Sequence, residues 1–258
     1  VSVFDVCDQI GIDIRFLNCK SLEGMYCRSP RLSILLPSSQ HRPRGRIAFS
    51  CAHELGHHEL GHGTRADKYI AGPRTPQRRE PEELGADVFA AHFLMPRQAV
   101  LHALKIRGWD LASITSRQAF TLAGQFGVGY ETFLSQLVFG LKILSQERSQ
   151  ILCKVQPKAI RHEILPAAAA TDLIIVDSQW QSVPADLEIG DFLITESDAV
   201  AESPTLKLEG HVKDQCVWSA RAAGQTRICQ SGTETLIRVA RRAYAGAWRY
   251  RLLPEEDG

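Results

Sequence analysis

The alternation of apolar and polar residues at the start of the chain predicts a short helix and a small sheet. Apolar residues recur at helical spacing over residues 3–10, and Gly11 interrupts that pattern. Residues 12–17 then alternate apolar with polar side chains, and residues 25–27 and 32–36 form two further runs separated by a Ser-Pro turn. We therefore expect a small antiparallel sheet, followed by a long helix that begins near Ile47.

The pattern changes twice in the rest of the chain. Residues 81–96 and 100–104 have helical periodicity. Residues 116–137 form two helical stretches around a Gly-Val-Gly turn, which is the pattern of a helix-turn-helix. From residue 157 onward, short apolar runs are separated by Gly, Ser, Pro or Asp, which is typical of a strand-rich domain. The chain is thus predicted to be α+β, with segments 1–108, 109–156 and 157–258.

Composition and charge give no sign of a nucleic-acid-binding, membrane-spanning or disulfide-rich protein. The 258 residues carry a formal net charge of +1, so we expect no overall attraction to nucleic acid. No run of 18 apolar residues occurs, and no membrane-spanning helix is expected. The seven cysteines are scattered without a CxxC pair, which favours reduced thiols in a cytoplasmic protein.

The residues with the clearest chemistry form two consecutive HExxH boxes. In the first box, His53 and His57 share one helix face, where both imidazoles can bind one metal ion with Glu54 beside it. The second box, residues 58–62, runs into two glycines at which a helix should end. We therefore assign the site to the first box and expect the second to be a polar, partly exposed helix end. His62 would lie there on fraying backbone, and contact with a metal ligand is its less favoured role.

A catalytic zinc ion usually has three protein ligands, so a third ligand must come from another segment. On the helix predicted at residues 81–96, Glu83 and Asp87 lie four residues apart and point the same way. Glu83 can bind the metal while Asp87 accepts a hydrogen bond from a ligating histidine. Glu82 is the weaker alternative, because it lies about 100° around the helix and has no carboxylate four residues later. An HExxH box followed by Glu-x-x-x-Asp is the gluzincin pattern.

Two motifs taken together resemble those of the ImmA/IrrE metallopeptidase family. Residues 52–57 have the sequence AHELGH, and residues 86–96 have the sequence ADVFAAHFLMP, which is similar to the family's second helix. The chain departs from the family upstream, where Ala-Phe-Ser-Cys stands in place of a frequent Arg-Phe-Thr run. The resemblance implies a metal-dependent endopeptidase that cleaves a transcriptional repressor of the xenobiotic-response-element type, similar to DdrO.

For such a peptidase we expect zinc, or alternatively manganese, bound by the two histidines of the first box and by Glu83. Glu54 is the expected base that takes a proton from water. Tyr69 and His58 are candidate hydrogen-bond donors to the oxyanion. The substrate is expected to add a strand to a sheet edge, for which we predict residues 32–36.

The three predicted segments also resemble the layout of family members that regulate the radiation and DNA-damage response. In those proteins a GAF-like α/β sensor domain follows the helix-turn-helix, which implies a small-molecule signal at residues 157–258. The competing hypothesis is a non-enzymatic regulator that binds DNA and has only a structural metal site. Residues 130–141 contain Gln136 but no Lys or Arg, so we expect this segment to pack rather than to read DNA.

Overall fold

The computed structural model describes residues 2–28, 30–68, 80–168, 171–180, 183–201 and 203–254. The chain forms two compact units. The first contains residues 1–97, 127–129 and 243–250, and the second contains residues 98–126, 130–242 and 251–258. The mixture of helices and strands confirms the predicted α+β class, whereas the three functional segments stay a prediction. Within the described ranges, no helix is long and apolar enough to cross a membrane.

The described residues form helices and strands in the following order. The α-helices are α1 (Val3–Gln9), α2 (Arg44–Glu59), α3 (Pro81–Leu94), α4 (Arg97–Ile106), α5 (Ser116–Gln125), α6 (Tyr130–Ser135), α7 (Gln146–Cys153) and α8 (Pro157–Ile164). The strands are β1 (Asp13–Leu17), β2 (Leu22–Cys27), β3 (Ser33–Pro37), β4 (Arg65–Lys68), β5 (Leu173–Ile175), β6 (Ala185–Glu188), β7 (Phe192–Glu196), β8 (Leu206–Val212), β9 (Gln215–Ala220), β10 (Gly224–Gln230), β11 (Thr233–Ala240) and β12 (Gly246–Ala247). A π-helical turn, Gln136–Gly140, follows α6.

The first unit contains a five-stranded sheet in the order β12-β1-β3-β2-β4. Strands β1 and β3 are parallel, whereas β2 is antiparallel to both β3 and β4. The sheet is therefore mixed, and the prediction of an antiparallel sheet is wrong. The prediction that residues 32–36 form a free edge is also wrong, because β3 lies between β1 and β2. Its apolar run, with Ile34 and Leu36 fully buried, suits a central strand.

Helix α2 is the central helix of this unit, and ten of its sixteen residues are buried. On one side it faces β2, where Gly24 lies against Glu54. On another side it approaches α3 so closely that a Cβ atom on Gly56 would lie 3.0 Å from Ala86 Cα. Glycine at these two positions thus allows both neighbours to reach the HExxH box.

A buried ion pair joins β2 to the start of α2. The strand is bulged between its first and third residues, and Glu23 points inwards from this bulge. Its carboxylate accepts hydrogen bonds from Arg42 Nε at 3.1 Å, from Arg46 Nε at 2.6 Å and from Ser50 Oγ at 3.2 Å. Because Glu23 and Arg42 are only 4% and 6% exposed, removal of either charge would leave a buried charge poorly compensated.

Residues 243–250 complete the first unit although they lie near the end of the sequence. Strand β12 pairs antiparallel with β1. Tyr244 packs edge-on against Phe16, and Trp248 stacks on Phe4 with ring centroids 6.1 Å apart. The first unit is therefore not one continuous segment of the chain.

Replacing Trp248 with Ala is expected to lower the free energy of unfolding by about 1–3 kcal/mol, because the stacked contact with Phe4 is lost. Urea unfolding measures this loss, and hydrogen exchange of the β1 amides shows whether it falls on the first unit. Leu253→Ala is the matched control, since Leu253 is 53% exposed. An unchanged unfolding midpoint, or an equal loss in the control, would contradict a stabilising role of this contact.

The second unit begins with helices and continues as strands. Helices α5 and α6 flank the Gly-Val-Gly turn that the sequence pattern predicts, and Thr115 forms a capping box at the start of α5. Arg107, at the end of the α4 region, forms a bidentate pair with Asp177, with both N–O distances at 2.6 Å. This partly buried pair joins the helical part of the unit to the segment after β5.

Two small sheets form the strand-rich part, in the orders β10-β11-β6 and β5-β7-β9-β8. Their core contains Trp180 and Trp218, whose indole N–H groups donate to Val183 O and Thr195 Oγ1. No α-helix follows Ala168 in the ranges that the structure describes. The predicted strand-rich character is present, but the helices of an α/β domain of the GAF type are not seen there, and the GAF-like assignment stays a prediction.

Candidate metal centre

Helix α2 directs His53 and His57 to a common point. The two residues lie one helical turn apart, and their Nε2 atoms are 3.1 Å from each other. Their exposed fractions are only 5% and 0%. Two buried imidazoles that converge through the same ring nitrogen form one side of a metal site, because neutral imidazole binds a metal through that lone pair.

Helix α3 adds Glu83 to this pair. The helix begins with Pro81, whose missing N–H leaves no hydrogen bond unmade in a first turn, and Glu83 lies in that turn. Glu83 Oε2 lies 3.2 Å from His53 Nε2, and Oε1 lies 3.5 Å from His57 Nε2. The ligand atoms of the three residues lie within 4.8 Å of one another. Among the described residues this is the one such group, and Glu82 is not part of it.

The spacing of these donor atoms fits a tetrahedral metal ion. Zinc binds histidine nitrogen and carboxylate oxygen at about 2.0–2.2 Å, which places neighbouring donors about 3.3–3.6 Å apart. The two histidine nitrogens are 3.1 Å apart, and each lies close to one oxygen of the Glu83 carboxylate, His53 at 3.2 Å from Oε2 and His57 at 3.5 Å from Oε1. A set of two nitrogens and one carboxylate leaves a position for water or substrate, as catalytic zinc sites do. The residues therefore fit the metal that the sequence implies.

Each histidine is also held from its outer side. His53 Nδ1 lies 3.0 Å from Asp87 Oδ1, and Asp87 lies one turn after Glu83 on α3. An ionised carboxylate can only accept a hydrogen bond, so Nδ1 of His53 is the donor and carries the proton. The lone pair of the His53 ring then lies on Nε2, on the side of Glu83. His57 Nδ1 lies 2.8 Å from His62 Nδ1. The orientation of both rings is thus set outside the metal group.

The second box does not end on fraying backbone, and that prediction for His62 is wrong. Helix α2 ends at Glu59, and Gly61 has a φ of +73°. The N–H of Gly61 donates to His58 O at 3.1 Å, and the N–H of His62 donates to His57 O at 2.9 Å. This pair of bonds is a Schellman motif, in which the residue after the glycine is brought against the residue five positions earlier. A glycine followed by histidine at a helix end was the available signal for the contact.

His58, one of the two candidate oxyanion donors, is held by strand β2. Its Nδ1 lies 2.8 Å from the hydroxyl of Tyr26, which is only 1% exposed. Burial raises the pKa of Tyr26, so its hydroxyl stays protonated and can donate to this nitrogen. The other candidate, Tyr69, lies outside the described residues. Both oxyanion roles stay predictions.

Glu54 lies next to His53 in the sequence and is 1% exposed. Its carboxylate approaches β2, where a Cβ atom on Gly24 would lie 3.0 Å from both its Cγ and Cδ. Cys51 lies one turn before Glu54 on the same helix. The pKa of its thiol is raised well above the usual value, mainly by burial and to a smaller extent by the contact with Cys7. The Cys51 thiol beside Glu54 therefore stays uncharged, and the side chain of Glu54 is held in a confined, buried position.

Residues 7–137 match the family model of the IrrE N-terminal-like domain. The matched segment includes α2 and α3, and so contains every residue of the metal group. No curated protein and no solved structure matches the chain significantly.

Proposed function

This chain belongs to the IrrE N-terminal-like domain family, a family of metallopeptidases of the ImmA/IrrE type, and we propose that it is a metal-dependent endopeptidase that cleaves a transcriptional repressor. The observation that carries the proposal is the convergence of His53, His57 and Glu83 beside the buried Glu54. A peptidase domain acts on a protein substrate, and the choice of a repressor is the finer part of the proposal.

The three ligating residues would hold zinc, with manganese as the alternative, because two imidazoles and a carboxylate accept either ion. When bound, such an ion lowers the pKa of a water molecule to about 7 and polarises the peptide carbonyl. Glu54 accepts a proton from the attacking water on its carboxylate and returns it to the leaving amine. Asp87 keeps His53 in the tautomer whose Nε2 is unprotonated.

The substrate strand, in this proposal, adds to the outer edge of β4. Strand β4 pairs with β2 on one side and is the last strand of the sheet among the residues that the structure describes. Strand β2 also carries Gly24, which lies against Glu54. A peptide that pairs with this edge would extend the same sheet that holds the base, as substrates do when they bind by strand addition.

Replacing Gly24 with Ala is expected to lower the rate of repressor cleavage about tenfold or more while the metal is retained. The added methyl group must displace the Glu54 carboxylate or β2, and a misplacement of about 1 Å can cost about 100-fold in rate. Single-turnover cleavage and metal analysis measure the two effects. Gly124→Ala is the control, because its Cβ would meet nothing closer than Ile174 at 3.9 Å. Full activity in Gly24→Ala would contradict this positioning of Glu54.

The finer identity that we propose is a radiation-response regulator similar to IrrE, also called PprI, of Deinococcus-type bacteria, with a substrate similar to the repressor DdrO. The succession of a peptidase unit, two helices around a glycine turn and a strand-rich part supports this proposal. A small-molecule signal that acts on residues 157–258 belongs to it, by similarity to the GAF-like part of that protein.

The competing hypothesis is a DNA-binding regulator with a structural metal site. A closed structural site needs four protein ligands, whereas the metal group has three within the described residues. Gln136, the side chain best suited to contact a base, is 6% exposed. An exposed carboxylate, Glu131, begins the second helix and would repel phosphate. These observations favour the peptidase.

The test is incubation of the purified chain with a purified repressor of the xenobiotic-response-element type, first with zinc and then with a chelator. We expect fragments from a single cut, identified by mass spectrometry, which disappear with chelator and return when zinc is restored. A repressor that stays intact under every condition, together with a promoter gel shift by this chain, would overturn the peptidase proposal in favour of the competing one.

A further inference from the structure

The ring of His62 lies directly against the ring of His57, outside the metal group. The two Nδ1 atoms are 2.8 Å apart, and the ring centroids are 5.0 Å apart with planes inclined at 61°. His57 is fully buried and His62 is half-buried. A hydrogen bond in this shielded position can fix the orientation of the His57 ring.

The backbone conformation at the end of α2 places His62 against His57. In the Schellman motif at the end of α2, Gly61 takes the left-handed conformation and the N–H of His62 donates to the carbonyl of His57. His62 is therefore bound to His57 twice, once through the backbone and once through the side chain. Such a motif often carries an apolar contact between these two positions, and here that contact is replaced by a hydrogen bond between imidazoles.

The hydrogen bond also fixes where the protons lie. His57 Nε2 faces His53 Nε2 and Glu83 Oε1, at 3.1 and 3.5 Å, so this nitrogen must present a lone pair to bind a metal. His57 then carries its proton on Nδ1 and donates it to Nδ1 of His62. His62 is consequently the acceptor and carries its own proton on Nε2.

We propose that His62 is a positioning residue, which accepts a hydrogen bond from His57 and so holds that ligand in the geometry the metal needs. The proposal rests on the metal site of the proposed function. The two histidine ligands then donate to different kinds of acceptor. His53 donates to the carboxylate of Asp87, and His57 donates to the neutral imidazole of His62. The second HExxH box thus supplies a support for the first box rather than a second site.

Three variants of the full chain test this role. His62→Leu removes the acceptor, whereas His62→Asn keeps an acceptor oxygen close to the position of Nδ1. His102→Leu is the matched control, because His102 lies exposed on α4. The readouts are the zinc dissociation constant from competition with a chromophoric chelator, the visible spectrum of the Co²⁺-loaded protein, and the unfolding temperature of the metal-free protein.

We expect His62→Leu to weaken zinc binding about 10- to 100-fold and to change the Co²⁺ spectrum, with an unchanged unfolding temperature of the metal-free protein. His62→Asn should restore most of the affinity, and His102→Leu should match the unmodified chain. If His62→Leu does not fold, His62→Ala provides the same comparison with a smaller side chain. Unchanged zinc affinity in the leucine variant, or an equal loss in the asparagine variant, would overturn the proposal.

The readouts separate this inference from the proposed function. A chain that binds zinc in a His62-dependent way but cuts no repressor would sustain the positioning role and overturn the peptidase. A chain that binds no zinc would overturn both.

Discussion

Glu54→Gln is expected to bind the metal normally and to lose repressor cleavage by about 10²- to 10⁴-fold, the usual contribution of a general base. The amide keeps the size of the carboxylate, so the confined space against Gly24 is still filled. It cannot accept the proton of the attacking water. The rate is measured in single-turnover cleavage, and the metal content by elemental analysis of the same sample.

The second box provides the matched control for this experiment. Glu59 occupies the same position in that box as Glu54 does in the first, but it is exposed at the end of α2. Glu59→Gln should therefore cleave the repressor at the rate of the unmodified chain. Retained cleavage in Glu54→Gln, or a comparable loss in Glu59→Gln, would show that the base has been assigned to the wrong box.

Glu83→Gln is expected to weaken metal binding by about 100-fold or more, and cleavage should fall with it. The substitution replaces one of the three proposed ligands by a neutral amide, and ligand bonds supply most of the binding free energy of such sites. Equilibrium competition with a chelator measures the affinity. Cleavage at saturating zinc shows whether the loss is one of occupancy or of chemistry.

Glu82→Gln is the control for this substitution, because Glu82 lies beside Glu83 in the first turn of α3 and is not part of the metal group. The carboxylate of Glu82 interacts favourably with the positive N-terminal end of the helix dipole. Its removal should lower the free energy of unfolding by no more than about 1 kcal/mol. If both variants lost the metal equally, charge in the first turn of α3 would explain the effect, and the ligand assignment would fail.

The architecture also changes how a sensor role of the strand-rich part must be tested. Deletion of residues beyond Pro166 would remove residues 243–250, which belong to the first unit. Strand β12 and the Trp248–Phe4 stack would be lost with them. A loss of regulated activity in such a deletion would therefore not identify a sensor, and point substitutions within β5 to β11 are the better probes.

Several parts of the site could be predicted because they depend on helix periodicity alone. The four-residue spacing of His53 and His57 places them on one face, and the same spacing relates Glu83 and Asp87. The end of α2 at two glycines is equally local, since Gly61 has the positive φ that favours glycine. The need of a catalytic zinc ion for a third protein ligand, not periodicity, predicted that the two helices share one site.

The errors concern interactions between segments that are distant in the sequence. The apolar run of β3 indicated a strand but not its neighbours, and β1 and β2 cover both of its edges. The prediction for His62 is wrong because backbone hydrogen bonds at the end of α2 and the ring of His57 hold this residue in place. The ion pair of Glu23 with Arg42 and Arg46 has no pattern in the sequence that would join those residues.

Helix periodicity in the sequence thus predicted which side chains share a helix face, which box lies at a helix end, and which carboxylate has a partner one turn away. The strand order, the approach of Gly24 to Glu54, the ring contact of His62 with His57 and the inclusion of residues 243–250 in the first unit depend on the tertiary structure. The physical reason is the range of the interactions. A helix repeats every 3.6 residues and so fixes neighbours locally, whereas strand pairing and packing depend on which distant segments bury each other's apolar surface.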